Sequence, residues 1–449
     1  MVEPQVIREV FDLTEPDRNV IFSMSLEEAR ERVAAGDVER IREIDGHFAL
    51  VARRGQTVRL ARSLQLPMRY FIVKQSAGPA LLVAHRIDAI KAWLDDHGFG
   101  DQFHPSYTRM VPAHHLTEVE LIGCPDPNPT YRRFFAPARE ILPRDTVEIG
   151  RRYIGALAGE IEKWLKAIPA ADPIGVSFSG GIDSGAVFLV LYHSLCGLGM
   201  NPARLKAFTL SVDRTGADLV QARRFLAALD LQIFHEPIEV PLDYIDLAQA
   251  IRVIEDYKPL DLQAGAMALA LCRGIRDRYP DWRHLVDGEG GDENLKDYPI
   301  EENPELTIRS VLNNTMLYHE GWGVDSIKHS LTYSGGMSRG CARSHAPADR
   351  YGFRGFSPFT LPNVVEVSEG IPFIELTNWD HEALYRLKGE VVSQGVRAVT
   401  GIEMPVFEKR RFQHGVGRQG LLKEHFPEHP AEYRALYQSI FDGAASAHR

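Results

Sequence analysis

Read for hydrophobic and polar periodicity, the chain changes character after its first third. Residues 48–52, 58–61, 69–73 and 80–84 are short apolar or alternating runs, separated by turn signals such as Arg54-Gly55 and Ala77-Gly78-Pro79. That is the pattern of a β-rich region. Residues 87–94 follow as a short helix, and the proline-bearing stretch 125–143 reads as a linker. Ile154, Leu157, Ile161, Leu165 and Ile168 then recur at helical spacing and form a core-facing stripe. From residue 173 strands and helices alternate: strand 174–179, helix 184–198, strand 206–212, helix 217–229, strand 232–236, helices 244–254 and 263–278, strand 284–287. This βαβ rhythm predicts a parallel, doubly wound sheet with helices on both faces. Strand signals thin out beyond residue 299, and 304–441 reads as mostly helical. The fold class is α/β, with a β-rich domain over 1–135 and the doubly wound domain over 136–449.

Composition narrows the classes of function. With 449 residues, 44% apolar and 25% charged, the chain is long enough for two or three globular cores. A net charge of −10 leaves no basic excess for neutralising phosphates, which argues against nonspecific nucleic-acid binding as the main role. Cys124, Cys196, Cys272 and Cys341 are far apart and form no CxxC, so they read as reduced thiols rather than a disulfide framework or zinc site. The first residues lack the basic end and apolar core of a secretory signal. The longest apolar run, 186–192, is far short of a membrane span. The reading is a soluble cytoplasmic protein without membrane or nucleic-acid partners.

The chemistry concentrates in Ser179-Gly180-Gly181-Ile182-Asp183-Ser184, where an apolar strand breaks into glycines and re-forms as an apolar helix. A strand, a Gly-rich turn and a helix N-terminus gather backbone N–H groups around one small volume suited to a phosphate. Ser179 and Ser184 add hydroxyls, Gly180 and Gly181 let the backbone approach an oxyanion, and Asp183 adds a carboxylate able to hold Mg2+. The spacing is not that of a Walker A loop, because no Gly-Lys-Ser/Thr follows. Ligands on doubly wound sheets sit at the carboxyl ends of the strands. The ends of three predicted strands therefore meet at one site, bringing Leu210 and Gly288 to it as well.

The SGGIDS run resembles the pyrophosphate-binding loop of the N-type ATP pyrophosphatases, and the chain as a whole resembles the asparagine synthetases of that superfamily. Asp287-Gly288-Glu289-Gly290-Gly291-Asp292-Glu293 resembles their SGEGxDE motif, with Asp287 in place of the first serine. The resemblance implies ATP and Mg2+ as cofactors, Asp183 and Asp292 as metal ligands, and Glu289 as the catalytic glutamate beside the attacking amine. Residues 407–417 resemble the KxxFxxGVG segment, which makes Lys409 the lysine that neutralises the α-phosphate, and Lys388 matches a second family lysine. In 350–359, Arg354 stands where glutamate is usual and Phe356 where arginine is usual, a change in the region facing the acyl substrate. A guanidinium there could hold a substrate carboxylate or phosphate.

Asp45-Gly46-His47-Phe48-Ala49-Leu50, Leu60-Ala61-Arg62, Tyr70-Phe71 and Ala84-His85-Arg86 are collinear with the later half of the family's glutaminase domain. That domain needs a cysteine after the initiator methionine, and Val2 stands there. The region is read as a glutaminase remnant, holding the second domain or a homodimer partner. The function implied is an amide-forming ligase. It adenylates a small-molecule carboxylic acid and passes the acyl group to ammonia or an amine. Intramolecular synthetases of the β-lactam or lasso-peptide kind, and a non-catalytic ATP-binding scaffold, stay open as alternatives.

Overall fold

A computed structural model of the protein describes residues 6–122, 129–212, 216–298, 300–302, 306–314, 341–407, 415–416, 420 and 424–441. The described residues fall into two compact units, the first over 6–136 and the second over 137–314 and 342–433.

The first unit is built on two four-stranded sheets and a short two-stranded pairing of Val20–Ile21 with Gly46–His47. Its elements are β1 (Glu9–Asp12), α1 (Leu26–Ala35), β2 (Ala49–Arg54), β3 (Thr57–Arg62), β4 (Arg69–Val73), β5 (Ala80–Ala84), α2 (Ile87–Asp96), β6 (Arg109–Met110), β7 (His115–Glu120) and β8 (Thr130–Arg133). The strand orders are β1-β5-β4-β6 and β8-β7-β3-β2. Ala49, Val58 and Leu60 from one sheet and Tyr70, Leu81 and Val83 from the other share a single buried cluster. Strands in which every second residue is apolar present one such face each, and burying the two faces together is what joins the sheets. The expected linker is corrected here: β8 lies inside it and pairs antiparallel with β7, Tyr131 opposite Thr117. All four of its residues are exposed, so no hydrophobic alternation marked it.

The second unit is α/β. Its first helix, α3 (Thr146–Ala167), buries Ile154, Leu157, Ile161 and Leu165, the stripe read from the sequence. Then follow β9 (Ile174–Ser177), α4 (Ile182–Gly197), β10 (Leu205–Val212), α5 (Ala217–Ala227), β11 (His235–Val240), α6 (Leu247–Ile254), α7 (Pro259–Arg278), β12 (His284–Val286), α8 (Gly291–Asn294), β13 (Arg354–Phe356) and α9 (His381–Thr400). The five strands are parallel in the order β11-β10-β9-β12-β13. The first strand in sequence is thus central and the order reverses across it, which is the topological switch point where such sheets bind ligands.

The two edge strands depart most from the expected pattern. The expected strand 232–236 is a 3-10 turn over Gln232–Phe234 followed by β11. Its sequence, His-Glu-Pro-Ile-Glu-Val, carries the charges and proline of a sheet edge instead of an apolar run. The carbonyl of Pro237 accepts a hydrogen bond from the Arg278 guanidinium (3.2 Å), and Arg278 also pairs with Glu236 (2.8 Å). At the opposite edge β13 adds a strand of only three residues within the stretch expected to be helical. No helix among the described residues is long and apolar enough to cross a membrane.

Candidate active site

The site lies where β9 and β12, neighbours at the switch point, give way to their loops. Beyond Ser177 the N–H of Phe178 still bonds the carbonyl of Phe208 (2.8 Å), and the chain then turns sharply. Gly180 takes φ +71°, and a Cβ there would stand 2.9 Å from the backbone of Ala222, so only glycine fits. The Ser179 and Ser184 hydroxyls are 3.2 Å apart, and the N–H of Gly181 donates to the Ser179 hydroxyl (3.3 Å). α4 starts at Ile182, two residues earlier than expected, which places Asp183 in its first turn. The positive end of the α4 dipole therefore points into the Ser179–Ser184 turn.

The loop after β12 interlocks with that turn. Gly288 runs so close to α4 that a Cβ would come within 2.8 Å of the Ser184 nitrogen. Asp287 is buried, and its Oδ1 accepts the N–H of Glu289 (3.0 Å). Burial pushes the Asp287 carboxyl up to about 7, against the Ser357 hydroxyl and the Glu289 N–H, which favour the ionised form. α8 brings in Asp292. Behind it the buried Asn294 amide donates to the Tyr153 hydroxyl (3.0 Å) and the Phe359 carbonyl (2.9 Å), fixing the turn from the core side.

Lys388, on the buried face of α9, completes the centre. Its ammonium donates to Asp183 Oδ2 (2.6 Å) and to Asp292 Oδ1, and lies 3.4 Å from Asp297 Oδ2. Burial alone would depress this lysine, but the three carboxylates outweigh it and hold its pKa well above the ordinary value. Glu289 is partly exposed beside them. Burial of its carboxyl raises its pKa, Arg343 opposes this, and Glu293, Asp287 and Asp292 add to the rise. The net pKa is well above the ordinary glutamate range. Arg343 comes from a π-helical turn, Cys341–His345, and its Nε donates to Asp261 Oδ1 in the first turn of α7 (3.1 Å). Burial opposes its charge, but Asp261, Glu289, Glu293 and Asp292 overcome that and keep it firmly protonated.

Of the residues singled out in the sequence, Ser179, Gly180, Gly181, Asp183, Ser184, Gly288, Glu289, Asp292 and Lys388 come together here. Leu210 is 1% exposed inside β10, level with Ile238 of β11. Lys409 lies outside the described residues. The described part of its segment, Gly415 and Val416, returns to the sheet, where the Val416 carbonyl accepts the N–H of Val212 at the end of β10 (2.8 Å). Arg354 is not at the site: it begins β13 level with His284, at the amino end of the strands, and is exposed. Phe356 is buried and stacks on Trp164 (4.7 Å between centroids). Arg343, Asp261 and Asp297 were missed. Pro259 at the first position of α7 was the one available signal, since it starts that helix early enough to carry Asp261.

Asp183 and Asp292 converge on one cation, the Lys388 ammonium. Among the described residues no group of three or more His, Cys, Asp or Glu stands ready to hold a metal. Two convergent carboxylates, with the other positions left to phosphate and water, fit Mg2+ carried in with a nucleotide.

Residues 166–339 match the family model for asparagine synthase. The match spans the Ser179–Ser184 turn and the Asp287–Glu293 loop, and the chain is asparagine synthetase-like over this stretch. At the level of the family it supports an ATP-dependent amide-forming ligase. A comparison with curated proteins finds no match.

Proposed function

We propose that this asparagine synthetase-like chain adenylates a small carboxylic acid with ATP, releases pyrophosphate, and passes the acyl group to ammonia or an amine. The observation that carries the reading is the buried ammonium of Lys388 set between Asp183 and Asp292, directly beside a glycine turn at a helix N-terminus. A scaffold gains nothing from sinking a lysine between two acids at a phosphate-sized turn, whereas a nucleotide tail calls for both signs of charge at that point.

The Ser179–Ser184 turn receives the β- and γ-phosphates through backbone N–H groups and the two hydroxyls. Mg2+ held by Asp183 and Asp292 would offset phosphate charge when bound. A carboxylate oxygen of the acid attacks the α-phosphorus, the bond from that phosphorus to the bridging oxygen breaks, and pyrophosphate leaves. The amine nitrogen then attacks the acyl carbon, and AMP departs with the electron pair of the broken C–O bond. Glu289 takes the proton that the nitrogen sheds, a task for which its raised basicity suits it. The Arg343 charge, held by Asp261, acts on Glu289 and favours its ionised form. Nitrogen enters as free ammonia or an amine, not from glutamine.

The test is exchange of labelled pyrophosphate into ATP across a panel of carboxylic acids, followed by amide formation with ammonium or glutamine as donor. Acid-dependent exchange and inert glutamine are expected. No exchange with any acid, together with no nucleotide binding, would overturn the reading.

A further inference from the structure

Lys388 poses a problem of charge that the proposed reaction must solve. Its side chain is 3% exposed and sits mid-way along α9, so the ammonium cannot swing out to water. The two carboxylates that touch it most closely are the pair that fits a divalent cation. A cation drawing on Asp183 and Asp292 competes with Lys388 for the same oxygens. A buried ammonium stripped of its counter-charge is costly, and that cost weakens cation binding.

Asp297 is placed to relieve this. Its Oδ2 is 3.4 Å from the Lys388 nitrogen, and the side chain is 7% exposed. Its backbone N–H donates to the carbonyl of Asp292 (2.9 Å), so the two acids are held at fixed separation across one turn. Lys296, just before it, takes φ +54°, an unusual conformation for a side chain of that length. Lys296 is itself tied down, its ammonium 3.4 Å from the Asn314 carbonyl and 3.6 Å from Glu369. The fold thus maintains a strained turn that presents Asp297 to Lys388.

We propose that Asp297 is a positioning residue that keeps the Lys388 ammonium compensated when Asp183 and Asp292 turn to a divalent cation. This rests on the reading of Asp183 and Asp292 as the ligands of a nucleotide-borne metal. Asp297 acts through Lys388 and is not itself a ligand.

The test is a double-mutant cycle on the full chain: wild type, Asp297→Asn, Lys388→Met and the double variant. Each is titrated with Mn2+ in the presence of the α,β-methylene analogue of ATP, with bound Mn2+ read by water-proton relaxation. Asp297→Asn is expected to weaken Mn2+ binding at least tenfold where Lys388 is present, and less than twofold where it is methionine. Without metal, the melting temperature of Asp297→Asn should stay within 2 °C of wild type, because Asp183 and Asp292 still hold the lysine. Equal losses in both backgrounds, or a loss under twofold with Lys388 present, overturn the inference while leaving the nucleotide reading intact. Failure of the wild type to bind Mn2+ with the analogue overturns both. If Asp297→Asn does not fold, Asp297→Ser takes its place in the cycle with the same expectations.

Discussion

Asp287→Asn should make the protein more stable at alkaline pH while leaving it almost unchanged in acid. The carboxyl is buried at the end of β12 and titrates at about 7, against an ordinary value of 3.8. Between those values the folded chain keeps a proton that the unfolded chain has released. The folded state binds more protons there, so wild-type stability falls as pH rises and levels off above about 7. Each pH step of 1 within that window costs about 1.4 kcal/mol, and the stretch from pH 5 to pH 7 therefore costs up to about 3 kcal/mol. Asparagine has nearly the same shape, its Oδ1 can still accept the Glu289 N–H, and it has no charge to bury. Urea unfolding of both proteins at pH 5 and pH 8 measures the effect. The stability difference should grow in favour of the variant by about 2–3 kcal/mol between the two conditions. A difference that does not change with pH, or one that favours the wild type at pH 8, refutes the view that burial outweighs the hydrogen bonds to the Asp287 carboxylate.

Three further outcomes follow from the site and its supports. Gly180→Ala forces a side chain into a left-handed conformation against the Ala222 backbone, so a loss of about 2–4 kcal/mol by urea titration and at least a hundredfold loss of pyrophosphate exchange are expected. Glu289→Gln should leave acid-dependent pyrophosphate exchange within a few-fold of wild type while cutting amide formation by about 10²–10⁴, measured with ammonium as donor. An equal loss in both assays would remove the glutamate from the nitrogen step. Phe356→Ala removes a buried ring stacked on Trp164, and a cost of about 3–5 kcal/mol in urea is expected.

The parts of the fold that the sequence announced are those where local chemistry and tertiary role coincide. The turn from Ser179 to Ser184 could be read because glycine is the one residue that fits so tight an approach, and the α3 stripe because burial repeats at helical spacing. β8 and β11 were misread because they lie at sheet edges, where the pattern of buried positions is interrupted or missing. Asp297 and Arg343 left no usable trace, and Asp261 only the Pro259 that starts its helix, because their meaning is a distance. Asp261 and Arg343 are 82 residues apart, and Asp297 and Lys388 are 91 apart, and only the folded sheet brings each pair together. Arg354 shows the converse error. Position along the motif suggested substrate contact, but three residues of extended strand carry it to the wrong end.

The margins of the five-stranded sheet limit how this chain can meet another. Along β11, Pro237 offers no N–H and its carbonyl is already engaged by Arg278, so an incoming backbone finds no donor and a contested acceptor at that step. The far margin, three residues long, is too brief to template a neighbour. Among the described residues, both margins therefore disfavour ribbon-to-ribbon growth of this sheet.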